Sequence, residues 1–162
     1  MPDDTPPVSL REITRDTLDA ILELSVADSQ KRYVATNAVS LAQAHFAPEA
    51  WFRAIYCGDE PAGFIMLEDH SLESPPPEKP EIGVWRFMID RRFQRRGVGR
   101  AAMLLVIEHA RRKGLFSSLL LSYVPGPDSP EPFYRSLGFR PNGQMSGEEV
   151  VMELSLGHPS TP

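Results

Sequence analysis

The sequence predicts a mixed α/β fold, with a central sheet flanked by helices. Three observations predict it. Short apolar, β-prone runs alternate with segments at helical spacing along the 162 residues. Glycine and proline punctuate most of the boundaries. The composition, 41% apolar and 24% charged, is that of a globular chain with one core, so residues 1–162 read as a single domain with its core at about 8–156 and frayed ends.

The elements follow in order. "VSLREI" (8–13) reads as a first strand. Asp16 is placed to cap a helix from Thr17, with Leu18, Ile21, Leu22 and Val26 on one face. A weaker helical pattern, "TNAVSLAQAHF" (36–46), is limited by Pro48. "WFRAIYC" and "AGFIMLE", separated by "GDEP", read as a hairpin. "DHSLESPPPEKP" (69–80) holds four prolines and reads as an exposed loop. "EIGVWRFMID" (81–90) is a strong strand. After it, Val98, Ala101, Ala102, Leu105, Val106 and His109 recur at helical spacing. Arg111, Arg112 and Lys113 complement that helix's dipole and Gly114 stops it. "SSLLLSYV" (117–124) is a buried strand. "SPEPFYRSLGF" (129–139) is a short helix with Pro130 near its first turn and Gly138 as its stop. "GEEVVMELSL" (147–156) is a closing strand. The order is β-α-α-β-β-β-α-β-α-β.

Charge and composition exclude several functions. The net charge of −5 argues against a nucleic-acid binder, and no apolar run approaches the length of a membrane span. The start, "MPDDTPPVSL", does not resemble a signal peptide, and the chain reads as cytoplasmic. Cys57 is alone, so neither an intramolecular disulfide nor a cysteine zinc site is expected. It lies in an apolar run and reads as a buried thiol. His45, His70, His109 and His158 lack metal-ligand spacing, and no metal site is expected. His109 reads as packed, Trp51 and Trp85 as core, with lining of an acceptor cleft as the lesser reading of Trp85.

Against this acidic background, "RRFQRRGVGR" (91–100) concentrates five arginines and two glycines. A strand leads in and a helix leads out. Free amides and the dipole at the start of a helix make a place for phosphate, and glycine lets the backbone approach it. Arg92, Arg95, Arg96 and Arg100 add charge and forked hydrogen bonds. A Walker loop is excluded, because no Gly-Lys-Ser/Thr follows. "GVGRAA" fits the dinucleotide fingerprint, but the acid expected about 20 residues on is missing from "LLLSYVPG".

Gln94-Arg95-Arg96-Gly97-Val98-Gly99 resembles the central motif Gln/Arg-x-x-Gly-x-Gly/Ala of the GCN5-related N-acetyltransferases. "LLLSYVPG" followed by "PFYRSLGF" resembles that family's second motif, in the expected order. "SQKRYVATNAVSLAQA", "GFIML", "WRFMID", "LSYVPG" and "VVMEL" resemble the branch of bacterial spermine/spermidine (diamine) acetyltransferases. The resemblance covers nearly the whole chain. It implies a mostly antiparallel sheet whose fourth and fifth strands are parallel and splay apart around acetyl-CoA. It implies that the backbone of Phe87, Met88 and Ile89 pairs with the pantetheine arm, and that the loop residues Gln94, Arg95, Arg96, Gly97, Val98, Gly99 and Arg100 hold the pyrophosphate. Phe133 borders the cofactor, and Tyr134 returns a proton to the leaving thiolate. Pro127 stands where the family often has an asparagine on the pantetheine arm, and Asp128 beside it is the candidate replacement.

The resemblance implies direct attack by an amine on the thioester, with a strand amide such as that of Ile89 at the oxyanion. A carboxylate must take the amine's proton. Glu81 is the first candidate, sharing strand parity with Trp85, Phe87 and Ile89 if no bulge intervenes; Glu68 and Asp69 are the others. In this fold "SQKRYVATN" (29–37) borders the acceptor, which makes Gln30, Tyr33 and Asn37 acceptor-site candidates. The expected activity is N-acetylation of a small cationic amine, polyamines first. Other amines (an aminoglycoside or a protein amino group) and an idle CoA-binding sensor are the alternatives. The resemblance also allows a homodimer.

Overall fold

The computed structural model describes residues 5–157, except the side chains of Arg32 and Tyr33. His158 lies outside the described residues. Seven strands form one sheet: β1 (Val8–Arg11), β2 (Ala50–Cys57), β3 (Glu60–Asp69), β4 (Ile82–Ile89), β5 (Ser118–Tyr123), β6 (Arg140–Ser146) and β7 (Glu149–Ser155). Their order across the sheet is β1-β2-β3-β4-β5-β7-β6. The helices are α1 (Leu18–Leu22), α2 (Asn37–His45), α3 (Val98–Lys113) and α4 (Glu131–Ser136), with 3₁₀ turns at Asp28–Tyr33, His70–Leu72 and Arg91–Phe93.

The pairing is antiparallel except between β4 and β5, the one parallel pair. That pair runs only from Ile82–Val84 against Leu119–Leu121. Beyond Val84 the two strands part. The register of β3 on β4 shifts there too: Leu67 pairs with Val84 but Met66 pairs with Arg86, leaving Trp85 as the extra residue of a bulge.

Each face of the sheet has its own core. Ile55, Ile65, Leu67 and Ile82 pack beneath Val98, Ala102, Met103 and Val106 of α3. Ala54, Phe64, Met66 and Met88 pack on the other face with Ile21 of α1 and Leu24. The buried stripe of α3 includes Met103, Ile107 and Ala110, whereas Leu105 is exposed, so the helix is turned from the face expected of it. Its Gly114 stop holds, at φ 64°.

Three other expectations are corrected. Asp16 does not cap α1; Thr17 occupies that position, and its hydroxyl accepts the Thr14 amide instead. α1 ends at Leu22, so Val26 is buried from a loop rather than a helix face. β6 was not expected, because Pro141, Asn142 and Gly143 are poor strand residues. An edge strand tolerates them, and β6 meets β7 only near its two ends.

Gly63 in β3 pairs with Ile89, and a Cβ there would stand 2.4 Å from the Met88 carbonyl oxygen and 3.0 Å from Ile89 Cδ1. The strands can lie this close only because the side chain is absent. Gly63→Ala is expected to destabilise the fold by roughly 1–3 kcal/mol. That corresponds to a fall in Tm of about 2–12 °C, measurable by thermal melts.

Candidate active site

The parting of β4 from β5 opens a cleft of about 760 Å³. Val84–Ile89 of β4 and Leu121–Tyr123 of β5 form its sides, and it reaches Gln94, Arg95 and Gly99 at one end. Phe133 and Tyr134 of α4 wall it, as do Val26, Gln30 and Val34 on the side of α1 and α2.

Strand alternation decides which peptide groups look into it. The Asp90 amide donates to Ala62 O, toward β3, and Met88 O faces Gly63 on the same side. The peptide groups of Phe87 and Ile89 therefore face the opening, where β5 has withdrawn. Met88 departs from its expected role here. Its backbone is turned to β3, and it contributes its side chain to the wall.

The loop after β4 ends in an anion cradle. Arg95 (φ 63°) and Gly97 (φ 79°) both take left-handed conformations. Gly97 is the N-cap of α3 and brings no side chain to its amides. The first intrahelical bond runs from the Ala101 amide to Gly97 O at 3.0 Å, which leaves the amides of Val98, Gly99 and Arg100 without helical partners. Dipole and free amides together favour a phosphate there. A Cβ on Gly99 would lie 3.5 Å from Ile89, 3.6 Å from Phe87 and 3.7 Å from Phe133, so the small residue seats the helix against β4 and α4. The Phe87 and Phe133 rings stack at 6.0 Å.

The other loop residues divide by role. Arg95, on the cleft wall, and Arg96 are exposed. Arg100 is exposed and bonds the Ser136 carbonyl, away from the cleft. Val98 is fully buried core. Gln94 is a strut: its amide donates to Ile89 O at 2.9 Å and to Gln30 Oε1 at 2.7 Å. Gln30 is thus on the wall as expected, but engaged with the loop. Asn37 is buried in the core between helices, donating to Ile21 O at 2.8 Å, and does not reach the cleft. The side chain of Tyr33 is outside what is described. Asp128 stands exposed on the rim, on the cleft wall.

Tyr134 is 7% exposed, with its ring against Phe133 and Phe139. Burial pushes its hydroxyl well above the ordinary tyrosine range, so it stays protonated and can donate a hydrogen bond into the cleft.

The three candidate carboxylates fare differently. The bulge at Trp85 reverses strand parity, so Glu81 falls on the face of Arg86 and Met88 rather than that of Phe87 and Ile89. Glu81 precedes β4, is exposed and does not line the cleft. Asp69 is fully buried and occupied by Lys113 Nζ and by the amide and hydroxyl of Ser71. Glu68 lines the cleft. Burial pushes its carboxyl up, Glu49 and Glu81 push the same way, and His70 opposes them.

Sequence reasoning missed Glu149, which lines the cleft and accepts a bond from Ser122 Oγ at 3.3 Å. The antiparallel pairing of β7 on β5, with Tyr123 opposite Val150, is what brings it there. It also missed Asp90, which is 3% exposed. One Asp90 oxygen accepts the Ser25 amide at 2.9 Å; the other takes the Arg92 amide at 3.0 Å and Arg92 Nε at 2.8 Å. It fastens the end of β4 to the segment after α1. Among the described residues, no group of three or more metal-ligating side chains gathers.

With this geometry established, similarity to known proteins becomes informative. The sequence model of the Acetyltransferase (GNAT) family matches residues 15–139. The spermine/spermidine N(1)-acetyltransferase of Bacillus subtilis strain 168 is 27% identical over 148 residues, 90% of this chain and 97% of that protein. PaiA N-acetyltransferase from Thermoplasma acidophilum, solved in complex with coenzyme A, superposes with a TM-score of 0.67 at 13% identity, over 91% of this chain and 98% of that one. Ard1 from Thermoplasma volcanium gives the same TM-score at 21% identity, over 91% and 97%.

The Asp90 knot generates a test. Burial pushes its carboxyl up, but the bond from the Arg92 guanidinium and the amides of Ser25 and Arg92 outweigh it and hold it below the usual range. A carboxylate lowered in the fold stabilises above its unfolded pKa of about 3.9 and loses that contribution as pH falls through its lower folded value. Asp90→Asn should cost about 1–3 kcal/mol near neutral pH. In urea titrations at several pH values, the gap to the unmodified protein should narrow below about pH 4.

Proposed function

The chain belongs to the acetyltransferase (GNAT) family, and from that premise we propose that it moves the acetyl group of acetyl-CoA to a primary amine of a small cationic acceptor. A polyamine or diamine such as spermidine or spermine comes first, in line with the name of the Bacillus relative. The observation that carries the reading is the uncapped start of α3 opening onto the same cleft as Tyr134 and the turned-in amides of Phe87 and Ile89. We keep the cytoplasm as its place of action and a homodimer as its assembly.

Acetyl-CoA enters as a substrate. The amides of Val98–Arg100, with Arg95 and Arg96 near them, supply the anion-binding end for its diphosphate. The peptide groups of Phe87 and the N–H of Ile89, whose carbonyl is taken by Gln94, match an extended amide-bearing arm. The neutral amine attacks the thioester carbon and the C–N bond forms; an inward-facing amide of β4 nearer the apex than Ile89, such as that of Phe87, is the candidate to hold the oxyanion. The C–S bond then breaks. The departing sulfur takes up the proton that the nitrogen loses while the Tyr134 hydroxyl donates a hydrogen bond to it, leaving amide and free thiol. A buried tyrosine is a weaker acid than a thiol of pKa about 8.5, so its main contribution is a hydrogen bond to the developing thiolate.

A second acceptor class is favoured by one observation. Arg86 lines the cleft, and its Nε is buried with no partner among the described residues. An amine that also bears a carboxylate would satisfy that donor.

Thiol release from acetyl-CoA, followed with spermidine, spermine, an aminoglycoside, free amino acids and a short peptide, tests the function. Turnover fastest with polyamines is the expected result. CoA binding without turnover across the panel would identify a sensor instead. Gly97→Asp should weaken CoA binding at least tenfold by calorimetry, since it puts a negative charge at the cradle and a side chain at positive φ. Tyr134→Phe should lower kcat by about 10²-fold with little change in CoA affinity; a loss of only a few-fold would remove the tyrosine from the leaving-group step.

A further inference from the structure

An amine of pKa about 10.4 arrives protonated at neutral pH, so acetyl transfer needs a proton acceptor near the point of attack. Asp69 is consumed by Lys113 and Ser71, Glu81 stands outside the cleft, and Asp128 lies on the loop between β5 and α4. Glu149 reaches the cleft from β7, which β5 separates from β4, and is held by Ser122.

Glu68 is placed differently. It pairs across β3–β4 with Gly83, and Gly83 pairs with Leu120 in the short parallel ladder. Glu68 Oε1 lies 3.2 Å from where a Gly83 Cβ would be, and the Leu120 carbonyl oxygen is equally close to that point. The carboxylate therefore lies over the last rungs of the ladder, at the apex where β4 and β5 divide. Any side chain at position 83 would contest that space.

We propose that Glu68 accepts the proton of the attacking ammonium, and that Gly83 is the positioning residue that leaves room for its carboxylate at the apex of the cleft. This rests on the acetyl-transfer reading and extends it to the base. The ammonium gives one proton to the Glu68 carboxylate; the nitrogen lone pair attacks the thioester carbon. The second proton leaves the nitrogen as the C–S bond breaks and ends on the CoA sulfur. Glu68 returns its proton to solvent through its exposed side.

The charged groups around Glu68 suit this role. His70 Nε2 stands 3.8 Å from Oε2, and Glu73 holds the other nitrogen of that ring at 3.2 Å. Glu49, at the start of β2, and Glu81 are the like charges nearby, and both raise the Glu68 carboxyl after burial, the largest cause. Arg86 lies on the same face one rung nearer the loop. A carboxyl raised from the usual range is a better proton acceptor near neutral pH.

The test is the pH profile of kcat/KM with spermidine, or with whichever amine of the panel turns over fastest. Glu68→Gln should lose about 10²–10³-fold at pH 7. The loss should shrink steadily as pH rises toward the amine's pKa of about 10.4, because free amine then needs no base. The KM for acetyl-CoA and the melting temperature should not move. Gly83→Ala should show a smaller loss with the same pH signature, and little further loss when combined with Glu68→Gln, because both remove one function. A Glu68→Gln loss that is constant with pH, or under threefold, overturns the assignment and leaves acetyl transfer standing. Multiplicative losses in the double variant overturn the role of Gly83. A wild-type protein that binds CoA yet acetylates no amine would end the acetyl-transfer reading, and this inference with it.

Discussion

The structure depends on one interrupted interaction. β4 and β5 hydrogen-bond for three rungs and then separate. In most sheets such a break would be repaired, because unpaired buried peptide groups are costly. Here it is enforced from both sides. The bulge at Trp85 redirects β4, and the start of α3 is seated on Ile89 and Phe87 through Gly99. Phe133 and Tyr134 then fill the gap from α4. The result is a row of main-chain groups held ready for an extended ligand.

A splayed strand needs bracing, and the braces are polar. Gln94 ties the loop to the last carbonyl of β4 and to Gln30, while Asp90 ties the same end to Ser25. Both join the loop after β4 to the segment after α1, so the two walls of the cleft are tied to each other. Each such bond contributes a net of only about 1 kcal/mol, but each group would cost more if left unpaired. The first residue of the glycine motif thereby gains a reason that involves no ligand: its side chain fixes the loop, and the helix amides after it are left free.

The fold was largely legible because hydrophobic period and glycine–proline punctuation agree along most of the chain. Every strand except β6 and all four helices answer to a predicted segment, and β6 escaped because an edge strand tolerates residues that a central one would not. The uncapped, closely seated start of α3 was legible from Gly97 and Gly99, whose type directly reflects backbone conformation and close packing. The acceptor side was not. Asn37 looked like a polar contact but is spent on the Ile21 carbonyl. Glu81 looked in register with Phe87, but a bulge is invisible in residue type and shifts parity by one. Glu149 was placed by the pairing of β7 with β5, a long-range register that residue type does not show. Side-chain roles in this half are set by tertiary register, which local sequence does not encode.

The distribution of charge follows from the same division. The chain is net acidic, yet residues 91–100, the loop before α3 and its first turn, carry five arginines. Two of them are committed elsewhere, Arg92 to Asp90 and Arg100 to the Ser136 carbonyl, while Arg95 stands on the cleft wall with the exposed Arg96 beside it. At the other end of the opening stand Glu68 and Glu149. A cleft with cations at the loop end and carboxylates at the other imposes a direction on any ligand that carries phosphate at one end. It also draws an ammonium toward the acidic end, where local attraction exceeds that of the screened surface around it. Attraction alone would hold the amine protonated and unreactive. In the proposed reaction a carboxylate raised by burial resolves the conflict, because it would draw the cation in and accept its proton once bound.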